Sequence, residues 1–208
     1  MTMIQADITS SPELILASSS PYRREILAKL GLPFQAISPD IDESPLENET
    51  PEALVSRLAL EKAQAIAGNH HNALIIGSDQ VAVLDNNIIT KPHEHQKAIQ
   101  QLRQASGREV TFLTSLCLYN SQTHKHQLTV SPYSVSFLSL NDEQIEHYLQ
   151  KEKPYNCAGS FKSEGLGITL FSSMSGDDPN SLIGLPLITL TKMLRNEGIE
   201  PLFAGPLS

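Results

Sequence analysis

Apolar residues in this chain come in short runs whose period changes at serine, proline and glycine. Leu14-Ile15-Leu16-Ala17 breaks at Ser18-Ser19-Ser20, and from Pro21 the spacing turns helical, with Ile26, Leu27 and Leu30 on one face and Gly31 as a stop. The segment predicts strand, tight turn, helix. Ser20 suits the N-cap and Pro21 the first helical position, where a missing N–H removes no bond. Pro33 to Ile41 alternates weakly, as a strand would, and ends in Asp42-Glu43. Thr50-Pro51 repeats the cap-plus-proline signal for a second helix running to about Gly68, with Lys62 near the boundary of its apolar stripe, where a solvated amine is the ordinary reading.

Ala73 to Gly77 is a continuous apolar run, expected of a strand covered on both faces, and it stops at Gly77-Ser78-Asp79-Gln80. The strand pattern resumes over Val81 to Leu84, turns at Asp85-Asn86-Asn87 and returns through Ile88-Ile89 to Lys91-Pro92. A third helix is predicted over His95 to Ala105, ahead of Gly107. Two long strands, near Glu109–Tyr119 and Gln127–Phe137, are spaced for an antiparallel pair. Asn141 to Gln144 forms a capping-box variant opening a short helix. A glycine-bounded loop, Ala158 to Gly165, leads to an expected strand over Gly167–Phe171, and a last helix starts at Pro186 and ends before Gly198. The polar residues 1–12 are expected to be a flexible lead-in, 13–203 a single domain and 204–208 a tail.

Strands that alternate with helices early and pair as a hairpin late predict an α/β fold: a central mixed, twisted sheet with helices on both sides. Polar breaks then gather at strand ends, where clefts form. With 208 residues, 40% hydrophobic, the chain can bury a substantial core. A formal charge of -8 argues against a nucleic-acid or anionic-membrane partner, and the absence of tryptophan removes a stacking platform for single strands. Cys117 and Cys157 are the only cysteines, too few for a disulfide framework, and the first residues lack the features of a signal peptide. A cytoplasmic protein is expected.

Basic residues that matter in an acidic chain must be focused. Arg23 and Arg24 fall in the first turn of the first helix, where the macrodipole disfavours cations by about 0.3–1 kcal/mol each. A bound anion such as a polyphosphate reverses that sign, although solvated arginines are the ordinary reading of such a pair. Asp79 and Asp42-Glu43 follow strands, so Asp79 is aimed at the end of the sheet. A turn-forming Asx role for Asp79 and a solvated acidic loop for Asp42-Glu43 are the ordinary readings. Two carboxylates at neighbouring strand ends would give oxygen ligands suited to Mg²⁺ or Mn²⁺ shared with substrate phosphates. Lys62, Lys91 and Lys162 each stand near a polar break or glycine and supply point charges for a phosphate tail. P-loop, dinucleotide-binding and serine-hydrolase motifs are absent from the sequence.

Taken together, Leu14 to Arg24, Asp42-Glu43, Glu61-Lys62-Ala63, Ile76 to Val81, Lys91-Pro92, Ala158 to Phe161 and Gly184-Leu185-Pro186 resemble the Maf family of nucleoside triphosphate pyrophosphatases. The resemblance runs from about Leu14 to Leu202. It implies two lobes around a deep cleft, frequent homodimers, a nucleotide substrate and a divalent cation. By the same resemblance Ser18, Arg23, Arg24, Lys62 and Lys91 hold phosphates, Asp79 is the general base, and Glu43 helps Asp79 hold the metal. Tyr22, Gln80 and Glu164 resemble the branch acting on 7-methyl-guanosine triphosphate, Tyr22 replacing a tryptophan there. The rival expectations are a thymidine/uridine triphosphate pyrophosphatase and a nucleotide-binding regulator of cell division.

Overall fold

Strand β1 (Glu13–Ala17) leads into α1 (Pro21–Ala28), as the Ser20-Pro21 signal predicts, and β2 (Gln35–Ile37) returns beside β1 in parallel. The computed structural model describes residues 11–203, so the expected tail over 204–208 and the expected lead-in, apart from Ser11 and Pro12, lie outside the described residues. Helix α2 (Pro51–Ala67), capped by Thr50, carries the chain to β3 (Ala73–Leu84), which also pairs in parallel with β1. From there pairing is antiparallel: β4 (Asn87–Ile89) folds back on β3, and β5 (Glu109–Asn120), β6 (Lys125–Phe137) and β7 (Phe171–Gly176) complete a seven-stranded sheet in the order β2-β1-β3-β5-β6-β7. The expected mixed sheet is present. Helices α3 (His95–Ala105), α4 (Asp142–Glu152), α5 (Pro179–Ile183) and α6 (Leu187–Asn196) complete the chain with short 3₁₀ turns. Among the described residues no helix is long and apolar enough to cross a membrane.

Alternation along the strands divides the core. Leu14, Leu16, Leu74 and Ile76 face α1 and α6 through Ile26, Leu27, Leu190 and Leu194. Ile15, Ala17, Ala73 and Ile75 face Ala59, Ala63 and Ile66 of α2 on the opposite side. Most of these side chains are fully buried, each contributing about 1.5–3 kcal/mol if large and aliphatic. A third apolar cluster joins the far ends of β3, β5 and β6 to α3 and α4 through Ala82, Val110, Val135, Leu102 and Leu149. The first two clusters pack the lobe built around β1, and the third packs the lobe across the cleft from it.

Three expectations are corrected. The Gly77 to Gln80 break does not end a strand: β3 runs through it, because β5 pairs with it residue by residue, Gly77 with Cys117 and Asp79 with Ser115. Asp79 therefore sits within the sheet rather than at its end. The weak strand over 33–41 shrinks to Gln35–Ile37, the three residues that β1 pairs. The strand expected over 167–171 is a 3₁₀ turn at Leu166–Leu170, where Gly167 packs against the Lys162 backbone so closely that a side chain there would strike its carbonyl. The strand begins at Phe171 instead.

One further feature of β3 positions the site. Along the flank opposite β5, β1 pairs with β3 only as far as Ile76, and β4 takes up pairing only at Ala82. Among the described residues, no strand pairs with Gly77 to Val81 on that flank. The sheet is notched there, and α2 crosses beside the notch so closely that any side chain at Gly77 would run into the Ala59 carbonyl.

Candidate active site

The N-terminus of α1 opens toward this notch. Ser20 Oγ accepts the Arg23 backbone N–H at 3.4 Å, and the buried Ser18 Oγ accepts that of Ser20 at 3.1 Å, so the serine turn is fixed by its own hydroxyls. Arg23 points inward and its Nε donates to the Gly184 carbonyl at 2.9 Å. Burial pulls its pKa down, while nearby Asp79 and Glu43 push the other way. Arg24, one residue on, is exposed and is not part of the cleft wall.

Asp79 meets Lys62 in the notch. Lys62 Nζ donates to Asp79 Oδ1 at 2.6 Å and lies 3.0 Å from Glu43 Oε1. Lys62 is 5% exposed and Asp79 8%. The sequence places Lys62 at the edge of an apolar stripe, where a solvated amine is expected; the close approach of α2 over Gly77 buries it instead and leaves its ammonium to the carboxylates. This is a correction with a tertiary cause.

Glu43 is exposed, on a loop that Arg57 holds. Arg57 Nε and Nη2 grip both Glu49 oxygens at 2.7 and 2.9 Å, Nη2 also reaches the Ser44 carbonyl at 3.0 Å, and Nη1 reaches Glu61 at 2.9 Å. Hydrogen bonds from Arg57 and then from the Leu46 N–H hold the Glu49 carboxyl at about 2, below its ordinary 4.5. A carboxyl so depressed contributes stability that is full above about 4.5 and is lost as pH falls toward 2. The expected result is a steeper fall in Tm over that window for the native chain than for Glu49→Gln; parallel curves would release the loop from this clamp.

The cleft around the notch has a volume of about 930 Å³. Ser18, Tyr22, Arg23, Glu43, Lys62, Asp79, Gln80, Lys91 and Glu164 all line it, whereas the candidates Arg24, Asp42 and Lys162 do not: Arg24 faces outward, Asp42 caps its own loop at the Ser44 N–H, and Lys162 is drawn to Glu152. Lys91 is exposed on the wall that leaves β4. At the mouth, Tyr22 of one lobe faces Cys157, Lys162 and Glu164 of the other; burial, Cys157 and Glu164 raise its pKa against Lys162. Lys162 itself is held by Glu152 at 3.4 Å. Gln80 presents an acceptor: its Nε2 is engaged by Thr114 Oγ1 at 2.8 Å and by the Ser181 and Leu182 carbonyls at 2.8 and 3.0 Å. Two carbonyls can only accept, so that end of the amide is the NH₂ group.

Glu43 and Asp79 converge on one ammonium, and among the described residues no group of three or more His, Cys, Asp or Glu side chains is arranged to hold a metal ion. Two carboxylates are the usual protein share of a Mg²⁺ or Mn²⁺ site completed by substrate phosphates and water. The donor set fits a cation shared with a nucleotide, not one caged by the protein.

Residue types along the chain point to the lining residues but not to what holds them. Ser78, Thr114, Asp178 and the carbonyls of Ser181 to Gly184 are buttresses of the site, and only the Asp178-Pro179 pair, a third cap-plus-proline signal, was there to be read.

Fold and site define an α/β protein with a notched mixed sheet, whose cleft gathers an inward arginine, a buried lysine and two carboxylates below a helix N-terminus. The chain belongs to the family described as Maf-like protein, matched over residues 13–197. It is 57% identical over 187 residues to a protein of Nitrosococcus oceani named 7-methyl-GTP pyrophosphatase, covering 90% of this chain and 94% of that one. A protein of the same name from Pseudomonas aeruginosa is 57% identical over 91% of this chain and 98% of its own length, and one from Colwellia psychrerythraea 54% identical over 91% and 94%.

Proposed function

We propose that this protein hydrolyses 7-methyl-GTP between its α and β phosphates, releasing 7-methyl-GMP and pyrophosphate. The observation that carries this reading is the composition of one cleft: phosphate-seeking groups at its floor, and an aromatic face beside a carboxylate at its mouth. The names of the relatives support it at high identity. Two free cysteines and an acidic surface support a cytoplasmic setting.

Asp79 takes the proton of the attacking water, a role that contributes about 10²–10⁴-fold. Arg23, its Nε tied to Gly184, turns its remaining N–H donors to the phosphates, joined by the Ser18 hydroxyl, Lys62 and Lys91. Arg24 acts from outside the wall, through the positive potential it adds. Glu43 and Asp79 hold the divalent cation, which when bound supplies charge neutralisation at the phosphates. Lys62 keeps the two carboxylates in register before substrate arrives.

Base selection rests on charge. Methylation at N7 makes guanine cationic, and a cation on an aromatic face gains about 0.5–2 kcal/mol. Tyr22 supplies the face, Glu164 a negative charge, and the Gln80 carbonyl oxygen an acceptor for the N–H edge of guanine. The test is pyrophosphate release from 7-methyl-GTP, GTP, dTTP and UTP, with Mg²⁺, Mn²⁺ or excess chelator. We expect kcat/KM for 7-methyl-GTP to exceed that for GTP by at least about tenfold, roughly 1.4 kcal/mol. Tyr22→Ala should narrow the gap, and chelation should stop turnover. Equal rates on the two guanine nucleotides, or a preference for dTTP or UTP, would overturn the substrate; binding without pyrophosphate release would make the protein a sensor.

A further inference from the structure

Asp178 is an acidic side chain, 3% exposed, that lies outside the cleft wall and that the chemistry above does not use. Its Oδ1 accepts the backbone N–H of Asn180 at 2.9 Å and the Asn180 side-chain amide at 2.8 Å; its Oδ2 accepts the backbone N–H of Ile188 at 2.7 Å. One carboxylate thus caps α5 and holds the first turn of α6. Between those two attachments lies the last turn of α5 with its cap, Ser181 to Gly184, ending in a left-handed glycine with φ +117.

The carbonyls of that turn are where the site is anchored. Gly184 O takes Arg23 Nε at 2.9 Å and has Ser78 Oγ, next to Asp79, at the same distance. Ser181 O takes the Thr114 hydroxyl and the Gln80 amide, both at 2.8 Å, and Leu182 O takes Gln80 as well. A Cβ at 184 would stand 3.3 Å from Arg23 Nε, so the turn and the guanidinium are in direct register. Whatever fixes the turn fixes where Arg23 and Gln80 point.

We infer that Asp178 is a positioning residue: by tying α5 to α6 it sets the Ser181–Gly184 turn, and through that turn's carbonyls it aims Arg23 at the phosphates and Gln80 at the base. This rests on the reading of Arg23 as a phosphate-binding group. Asp178→Asn is the informative change, because it is nearly isosteric and keeps an oxygen for the α5 cap but sets an N–H₂ group against the Ile188 N–H. The helix stays capped while the tie to α6 is lost.

The experiment is a double-mutant cycle on the binding of inorganic pyrophosphate, read by calorimetry so that neither turnover nor the base enters. Asp178→Asn should weaken binding about tenfold with Arg23 present and by less than about twofold in an Arg23→Lys background, where no Nε is left to aim. A general loosening of the fold would cost both backgrounds equally. Equal losses, or no binding of pyrophosphate by the native chain, would overturn the inference. Thermal unfolding is followed alongside; if Asp178→Asn unfolds, Asp178→Ser, which caps α5 but is too short to hold Ile188, replaces it in the same cycle with the same expectation. Hydrolysis of 7-methyl-GTP by the native chain is measured separately. Coupling without turnover would sink the proposed activity and leave the positioning role standing.

Discussion

Asp79→Asn should lower kcat for pyrophosphate release by about 10²–10⁴-fold while the protein stays folded. The two halves of that expectation have different causes. The loss in kcat follows because an amide cannot take the proton of the attacking water. Retention of the fold follows because the asparagine oxygen still accepts from Lys62, whose charge also keeps Glu43 at 3.0 Å. The pair to measure is kcat and KM with thermal unfolding on the same preparation. An unchanged kcat with a raised KM would make Asp79 a binding residue and require another base.

Lys62→Met should cost stability strongly, besides taking a phosphate-binding charge from the cleft. It removes the partner at 2.6 Å from a carboxylate that is 8% exposed, and stranding one member of a buried pair costs about 3–5 kcal/mol. Both side chains are well below one-third exposed, so solvent screening does not rescue them. Denaturant unfolding reads the cost directly. Adding Asp79→Asn to Lys62→Met should recover most of it, since the stranded charge is then gone. A loss below about 1 kcal/mol in the single variant would mean that water reaches Asp79 and that the notch is less enclosed than the geometry implies.

The helices and most strands are legible in the sequence because their signals are local. Ser20-Pro21 and Thr50-Pro51 cap the helices they announce, and the Asn141 capping box is closed from both sides. What is not legible depends on partners remote in sequence. The polar interval Gly77 to Gln80 reads as a strand end because the pairing that carries β3 through it comes from β5, more than thirty residues away. Lys62 reads as solvated because its burial depends on a glycine in another element. The edge strand Phe171–Gly176 is missed since Phe-Ser-Ser-Met-Ser-Gly has too few apolar residues to show a period. For the site the division is similar. Residue types and family resemblance identify the side chains that line the cleft, but the exposed placement of Arg24 and the buttressing by Asp178 follow only from how helices meet.

The notch in the sheet has a mechanical consequence. Although the cleft separates two lobes, the strands that floor it do not stop there: β3 and β5, each of 12 residues, cross from one lobe to the other. At about 3.3 Å per residue each is a continuous beam of roughly 40 Å. Bringing the lobes together would mean bending two hydrogen-bonded beams at once, unlike a hinge in which a few loop dihedrals absorb the motion. The floor of the cleft is therefore stiff, and the Glu43 loop beside it is itself held, by Arg57 through Glu49 and the Ser44 carbonyl. Substrate enters a seat whose charges are already spaced, and the entropy of arranging them is met during folding rather than at each turnover.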